Sequence, residues 1–81
     1  MTEAPVRSAL LAVLAEILPG LSPAEVTDDK TLDELGADSV DRVEIVTGLV
    51  HRLGQDRSIA ALADEPDIGR LIARLSEGSA G

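Results

Sequence analysis

One serine in this chain stands where a hydroxyl could be put to work. In Gly36-Ala37-Asp38-Ser39-Val40-Asp41, Ser39 lies between two aspartates, just after a glycine turn and at the head of an apolar-periodic stretch. A hydroxyl so placed opens a helix, where backbone N–H groups and the helix dipole favour an attached phosphate. The plainer reading is a serine in a first helical turn, with Asp38 merely capping. Catalysis by Ser39 lacks a base. His51 is the single histidine, and at twelve residues along the same helix it stands about 18 Å away. Proton transfer needs about 3 Å. There is no cysteine, so no thiol nucleophile, disulfide or zinc–thiolate site. The Gly-x-Ser-x-Gly elbow is absent, and no metal-ligand spacing appears beyond the generic cation affinity of clustered carboxylates. A hydrolase built on Ser39 is the least favoured reading.

The elements that must hold Ser39 can be read from apolar spacing. Pro5 to Leu18 predicts a first helix, with Val6, Leu10, Val13, Leu14, Ile17 and Leu18 at intervals of three and four. Pro5 suits its first turn, and Pro19-Gly20 stops it. Leu21 to Asp38 reads as a long loop with turn clusters at Ser22-Pro23 and Thr27 to Lys30, and Leu21, Val26, Leu32 and Leu35 as pins onto a core. A loop of this length in so short a chain is usually functional. Thr31 to Leu35 can form one helical turn before Gly36 breaks the chain.

Ser39 to Leu53 predicts the central helix, with Asp38 as N-cap, Asp41 in the first turn and Gly54 as the stop. Its buried stripe is Ile45, Val46, Leu49, Val50 and Leu53. Gly48 inside it signals close packing, because glycine there costs up to about 1 kcal/mol relative to alanine. Ser58 to Leu62 reads as a short helix, ended by Asp64-Glu65-Pro66. Asp67 then caps a last helix to about Leu75 that buries Ile68, Leu71, Ile72 and Leu75. The fold class is all-α: a four-helix bundle with a long loop between helices 1 and 2 and a short helix 3. Residues 1–81 form one domain, with its core at about 5–76 and a flexible tail at 77–81.

Composition narrows the function. Fifteen acids against seven bases give a net charge of −8, and Phe, Tyr and Trp are absent. Phosphate backbones would be repelled, and no aromatic is available for base stacking, so nucleic acid is excluded as a partner. Basic patches on other proteins are the natural complement. No apolar run approaches the ~20 residues of a membrane span, and no leader peptide is legible. The expectation is a soluble, cytoplasmic monomer.

The run Gly36-Ala37-Asp38-Ser39-Val40 resembles the attachment motif of acyl carrier proteins, Gly-x-Asp-Ser-[Leu/Ile/Val]. The resemblance covers nearly the whole chain: a first helix, a long loop, a serine opening helix 2, a short helix 3 and a last helix in which Asp67-Ile68-Gly69 looks like the family's Thr-Val-Gly stretch. It implies an acyl-carrier-like bundle and a covalent 4′-phosphopantetheine on Ser39. A phosphopantetheinyl transferase would place it from coenzyme A with a divalent metal, Asp38 helping to position metal and serine. The arm's thiol would then carry acyl thioesters, which explains how a chain without cysteine could do so. The carrier itself would catalyse nothing.

Asp28, Asp29, Asp33, Glu34, Asp38, Asp41 and Glu44 form an acidic stretch opposed only by Lys30 and Arg42. It is a solvated face and, by the resemblance, a docking face for acyltransferase, ketosynthase or related synthase enzymes. Val40, Val43 and Thr47 make a second stripe beside Ser39, so Val40, Asp41, Arg42, Val43, Glu44 and Thr47 are the candidate recognition residues. Arg42 falls toward the core side by helical angle, snorkelling at the helix edge. Asp38-Ser39-Val40-Asp41-Arg42 looks like discrete polyketide carriers, some of which serve β-branching cassettes. Fatty-acid carriers more often continue Asp-Ser-Leu-Asp-[Thr/Ser]. Two alternatives stand: a peptidyl or aminoacyl carrier of nonribosomal peptide synthesis, whose motif more often has Gly or His at position 37, and an unmodified helical adaptor.

Overall fold

The computed structural model describes residues 3–77. Four helices follow in order: α1 (Glu3–Ile17), α2 (Ser39–Leu53), α3 (Ile59–Ala63) and α4 (Ile68–Glu77), with a 3-10 turn at Pro23–Glu25. No strand occurs among the described residues. Helix α2 packs on α1 and α3, and α1 packs on α4. Every helix spends its apolar stripe on one shared core. Leu10, Leu14, Ile45, Leu49, Ile68, Leu71, Ile72 and Leu75 are its largest fully buried side chains, each worth roughly 1.5–3 kcal/mol of transfer free energy. Among the described residues, no charged or polar residue is buried with them.

The expected elements appear with small shifts. Helix α1 starts at Glu3, which puts Pro5 in its first turn, and it stops at Ile17. Ile17, Leu18, Val50 and Leu53 are half-buried against the core and not inside it. Helix α2 has the predicted bounds: Asp38 is its N-cap, and Gly54 closes it with a left-handed φ of 65°. Ser58 caps α3 instead of belonging to it. Asp67 Oδ1 accepts from Arg70 N at 2.8 Å, as a cap should. Glu77, expected in a tail, is the last residue of α4; the rest of that tail, 78–81, lies outside the described residues. The close packing expected at Gly48 is real, since a Cβ there would sit 3.3 Å from Val13 Cγ1.

The connector between α1 and α2 is stitched down throughout. Ser22 closes a capping box with Glu25 around the Pro23 turn. Thr31 and Glu34 exchange reciprocal side-chain-to-backbone bonds at 2.9 and 3.1 Å, closing the single turn expected there. The start of α4 donates two backbone bonds into the connector, Ile68 N to Lys30 O at 2.9 Å and Gly69 N to Asp28 O at 3.0 Å. Arg7 reaches Asp28 from α1 at 2.6 Å. The connector therefore behaves as part of the scaffold that presents the head of α2.

Candidate functional site

Ser39 is the first residue of a 15-residue helix. Its position is fixed from the residues before it. Leu32 and Ala37 are buried on either side of Gly36. The chain turns between them at Gly36, φ 103°, a conformation side chains rarely adopt. Ala37 N donates to Leu32 O at 3.1 Å and closes that turn. The extended Asp38 follows, its Oδ1 accepting from Asp41 N at 2.8 Å, while Asp41 Oδ2 accepts from Asp38 N at 3.4 Å. This capping box satisfies backbone donors that a helix start leaves open.

Ser39 stands exposed on that frame, and its hydroxyl forms no hydrogen bond among the described residues. Asp38 is exposed beside it. The arrangement offers an uncommitted nucleophilic oxygen at the positive end of a helix dipole, with a carboxylate next to it. A phosphate on Ser39 Oγ would meet open solvent and the helix N-terminus. The residues present fit such a group.

The candidate recognition residues divide. Val40, 65% exposed, and Val43, 49% exposed, are the large apolar side chains that the described surface leaves uncovered. Glu44 is exposed beside Val43, with no partner among the described residues. Thr47 is exposed, but its Oγ1 donates to Val43 O at 2.7 Å, so the hydroxyl is committed to the helix backbone. Asp41 is committed to the capping box. Arg42 pairs with Asp33 on the connector, in keeping with its place at the helix edge, and so belongs to the joint between α2 and the connector.

The acidic stretch is likewise partly engaged. Asp28 holds Arg7, Asp33 holds Arg42, and Glu34 caps its own turn. Asp29 accepts from Thr27 Oγ1 at 2.5 Å, and that hydroxyl, ahead of the backbone and Lys30, holds its carboxyl below the ordinary value. Arg74 is held up by its hydrogen bond with Glu65. His51 is exposed in the last turn of α2. No group of acids and histidine able to hold a metal occurs among the described residues, and no helix among them is long and apolar enough to cross a membrane.

One feature was not legible in the sequence. Leu21 and Leu35, expected to be pins, are only half-buried. With Ile17 and Leu18 they line a cleft between the end of α1 and the connector. Val26 and Leu32 are the pins that reach the core. Apolar spacing in a loop marks candidates for burial without saying which will lack a neighbour to cover them.

Comparison with known proteins agrees with this geometry. The family model described as "Phosphopantetheine attachment site" matches residues 8–75. The non-reducing polyketide synthase ausA of Emericella nidulans is 34% identical over 70 residues, 86% of this chain. The chain spans about 3% of the length of that synthase. No solved structure matches.

Proposed function

Because the chain belongs to the phosphopantetheine-attachment family, we propose that Ser39 Oγ is the attachment point and that the loaded chain delivers acyl thioesters to enzymes of polyketide synthesis. The family's covalent 4′-phosphopantetheine supplies a thiol to a chain that has no cysteine. Domains of this family are generally non-catalytic, and the chain serves as the substrate of other enzymes.

The observation that carries the attachment site is the exposed, unbonded hydroxyl of Ser39 at the head of α2. Backbone N–H groups and the dipole there favour a phosphate ester. The Asp38–Asp41 box holds Ser39 in register, and in this reading the exposed Asp38 carboxylate would meet a transferase's divalent metal. The polyketide assignment is supported by the kinship to a polyketide synthase and by the Asp38-Ser39-Val40-Asp41-Arg42 run. Val40, Val43 and Glu44 form the partner-facing patch, with Asp41, Arg42 and Thr47 setting its edges. We place the carrier in the cytoplasm, a reading in keeping with its acidic sequence.

The test is intact-protein mass after incubation with coenzyme A, magnesium and a broad-specificity phosphopantetheinyl transferase, with Ser39→Ala as control. A gain of one phosphopantetheinyl group that the variant loses is the expected result. No gain on a folded protein would reduce Ser39 to an ordinary helix-start serine and leave a helical adaptor. Loading by an adenylating enzyme in preference to acyl transfer would favour the peptidyl-carrier alternative.

A further inference from the structure

Arg42 is bonded on both sides of the turn that precedes Ser39. Its guanidinium pairs with Asp33 on the connector, and its backbone N–H donates to Asp38 O at 2.9 Å in the first turn of α2. Asp33 and Asp38 stand on either side of Gly36, where φ is 103°. Gly36 is exposed, and a Cβ on it would meet nothing within 4 Å, so packing on Gly36 itself does not hold this uncommon conformation. Within the turn, Gly36 N donates to Asp33 O at 3.0 Å and Ala37 N to Leu32 O at 3.1 Å. Those bonds shape the turn. Among the described residues, Arg42–Asp33 is the ion pair that ties it to α2.

We propose that Arg42 is a positioning residue for the modification of Ser39: through Asp33 it holds the Gly36 turn against α2, and so keeps Ser39 in the orientation a transferase meets. The inference rests on the attachment proposed above. In that reaction Ser39 Oγ bonds to the pantetheine-bearing phosphorus of coenzyme A as the pyrophosphate bond to that phosphorus breaks. The adenosine bisphosphate leaves with the electron pair, and the hydroxyl proton is released to solvent. Arg42 need not touch any of these atoms. It acts earlier, on the fraction of chains whose Ser39 is presented for docking. A fraction below one raises the apparent dissociation constant in proportion and leaves the chemistry of the bound chain unchanged. An exposed ion pair can hold such a balance by a factor of up to about five. Asp64 borders the same recess as Arg42 and Asp33, so a guanidinium that loses Asp33 has another carboxylate near it, on the wrong side of the turn.

The test is transferase kinetics at saturating coenzyme A and magnesium, with the carrier concentration varied and the product followed by intact mass. The chains compared are the parent, Arg42→Ala, Asp33→Ala, the double variant, and the exchanged pair Arg42→Asp with Asp33→Arg. An exposed ion pair contributes little to stability, so all five should remain folded by circular dichroism. Each single variant should raise KM for the carrier about two- to five-fold with kcat unchanged. The double variant should be no worse than either single one, and the exchanged pair should recover most of the loss. Amide NMR of the unmodified single variants should show a common set of shifts at Gly36, Ala37 and Ser39. Additive losses, or a loss in Arg42→Ala without one in Asp33→Ala, would mean that Arg42 meets the transferase directly, and would overturn the positioning role. So would a fall in kcat, or a parental KM in both single variants. In each of these cases a mass gain on the parent leaves the attachment reading intact. No mass gain on the parent overturns both.

Discussion

Gly69 lies so close to Asp28 that a Cβ on it would stand 3.1 Å from Asp28 Cβ and 3.3 Å from the Asp28 carbonyl oxygen. That oxygen accepts the Gly69 N–H at 3.0 Å, and the Asp28 carboxylate holds Arg7 at 2.6 Å. Asp28 is therefore held from two sides and cannot easily retreat. Alanine in a helix ordinarily gains up to about 1 kcal/mol over glycine. Here overpacking of roughly 1–3 kcal/mol opposes it. Gly69→Ala should lower stability by about 1 kcal/mol in urea unfolding, the reverse of the propensity effect. A stabilised variant would show that the connector yields at this joint.

Asp38 has two separable roles. Its Oδ1 caps α2 through Asp41 N at 2.8 Å, a contact whose loss on Asp38→Ala should cost about 1 kcal/mol. Serine caps nearly as well as aspartate, so Asp38→Ser should keep the unfolding midpoint close to the parent. It nevertheless removes the carboxylate proposed to meet the transferase's metal. The rate of phosphopantetheinyl transfer should fall in both variants. A normal rate in Asp38→Ser would confine Asp38 to capping.

Thr27 sets the acidity of Asp29. Its hydroxyl is the foremost cause that holds the Asp29 carboxyl below its ordinary 3.8. Thr27→Val removes the donor, so the Asp29 midpoint followed by carboxyl carbon NMR should rise. A depressed folded-state value contributes stability that is present above the unfolded-state pKa and lost as pH falls through the folded one. The difference between parent and variant should therefore shrink below the ordinary aspartate range and be constant above it. An unmoved midpoint would assign the shift to the backbone and Lys30 instead.

The parts of this structure visible in the sequence are those governed by short-range rules. Intervals of three and four gave away α1, α2 and α4, and the Asp38 cap and Gly54 stop fixed α2 to the residue because side-chain capping and positive φ are chemically selective. Gly48 betrayed its contact with Val13 because a mid-helix glycine needs a reason. Gly69 carries a similar signal, but in the sequence it stands out only as part of the Asp67-Ile68-Gly69 stretch. Its partner Asp28 is remote in the sequence, and no local pattern names it. The pairing of Arg42 with Asp33, and of Arg52 with Glu16 at 2.5 Å, is equally non-local. The cleft is the extreme case, since Leu21 and Leu35 resemble Val26 and Leu32 in type and differ only in what tertiary packing leaves above them.

Glu44 offers the cleanest probe of partner docking. Asp41 does not, because its carboxylate accepts from Asp38 N and sits in the first turn of α2. Charge reversal there would cost up to about 1 kcal/mol through the helix dipole alone. Glu44 lies beyond that turn, is exposed, and has no partner among the described residues. Glu44→Lys should therefore leave stability within about 0.5 kcal/mol. If the patch of Val40, Val43 and Glu44 meets a basic partner surface, the variant should lower kcat/KM for a partner transferase or synthase. The deficit should be largest at low salt and shrink as the screening length falls toward about 8 Å at physiological ionic strength. Val43→Ser should lower kcat/KM as well, with little salt dependence, because it removes apolar contact and no charge. Unchanged kinetics in both variants would move the docking surface off this face of α2.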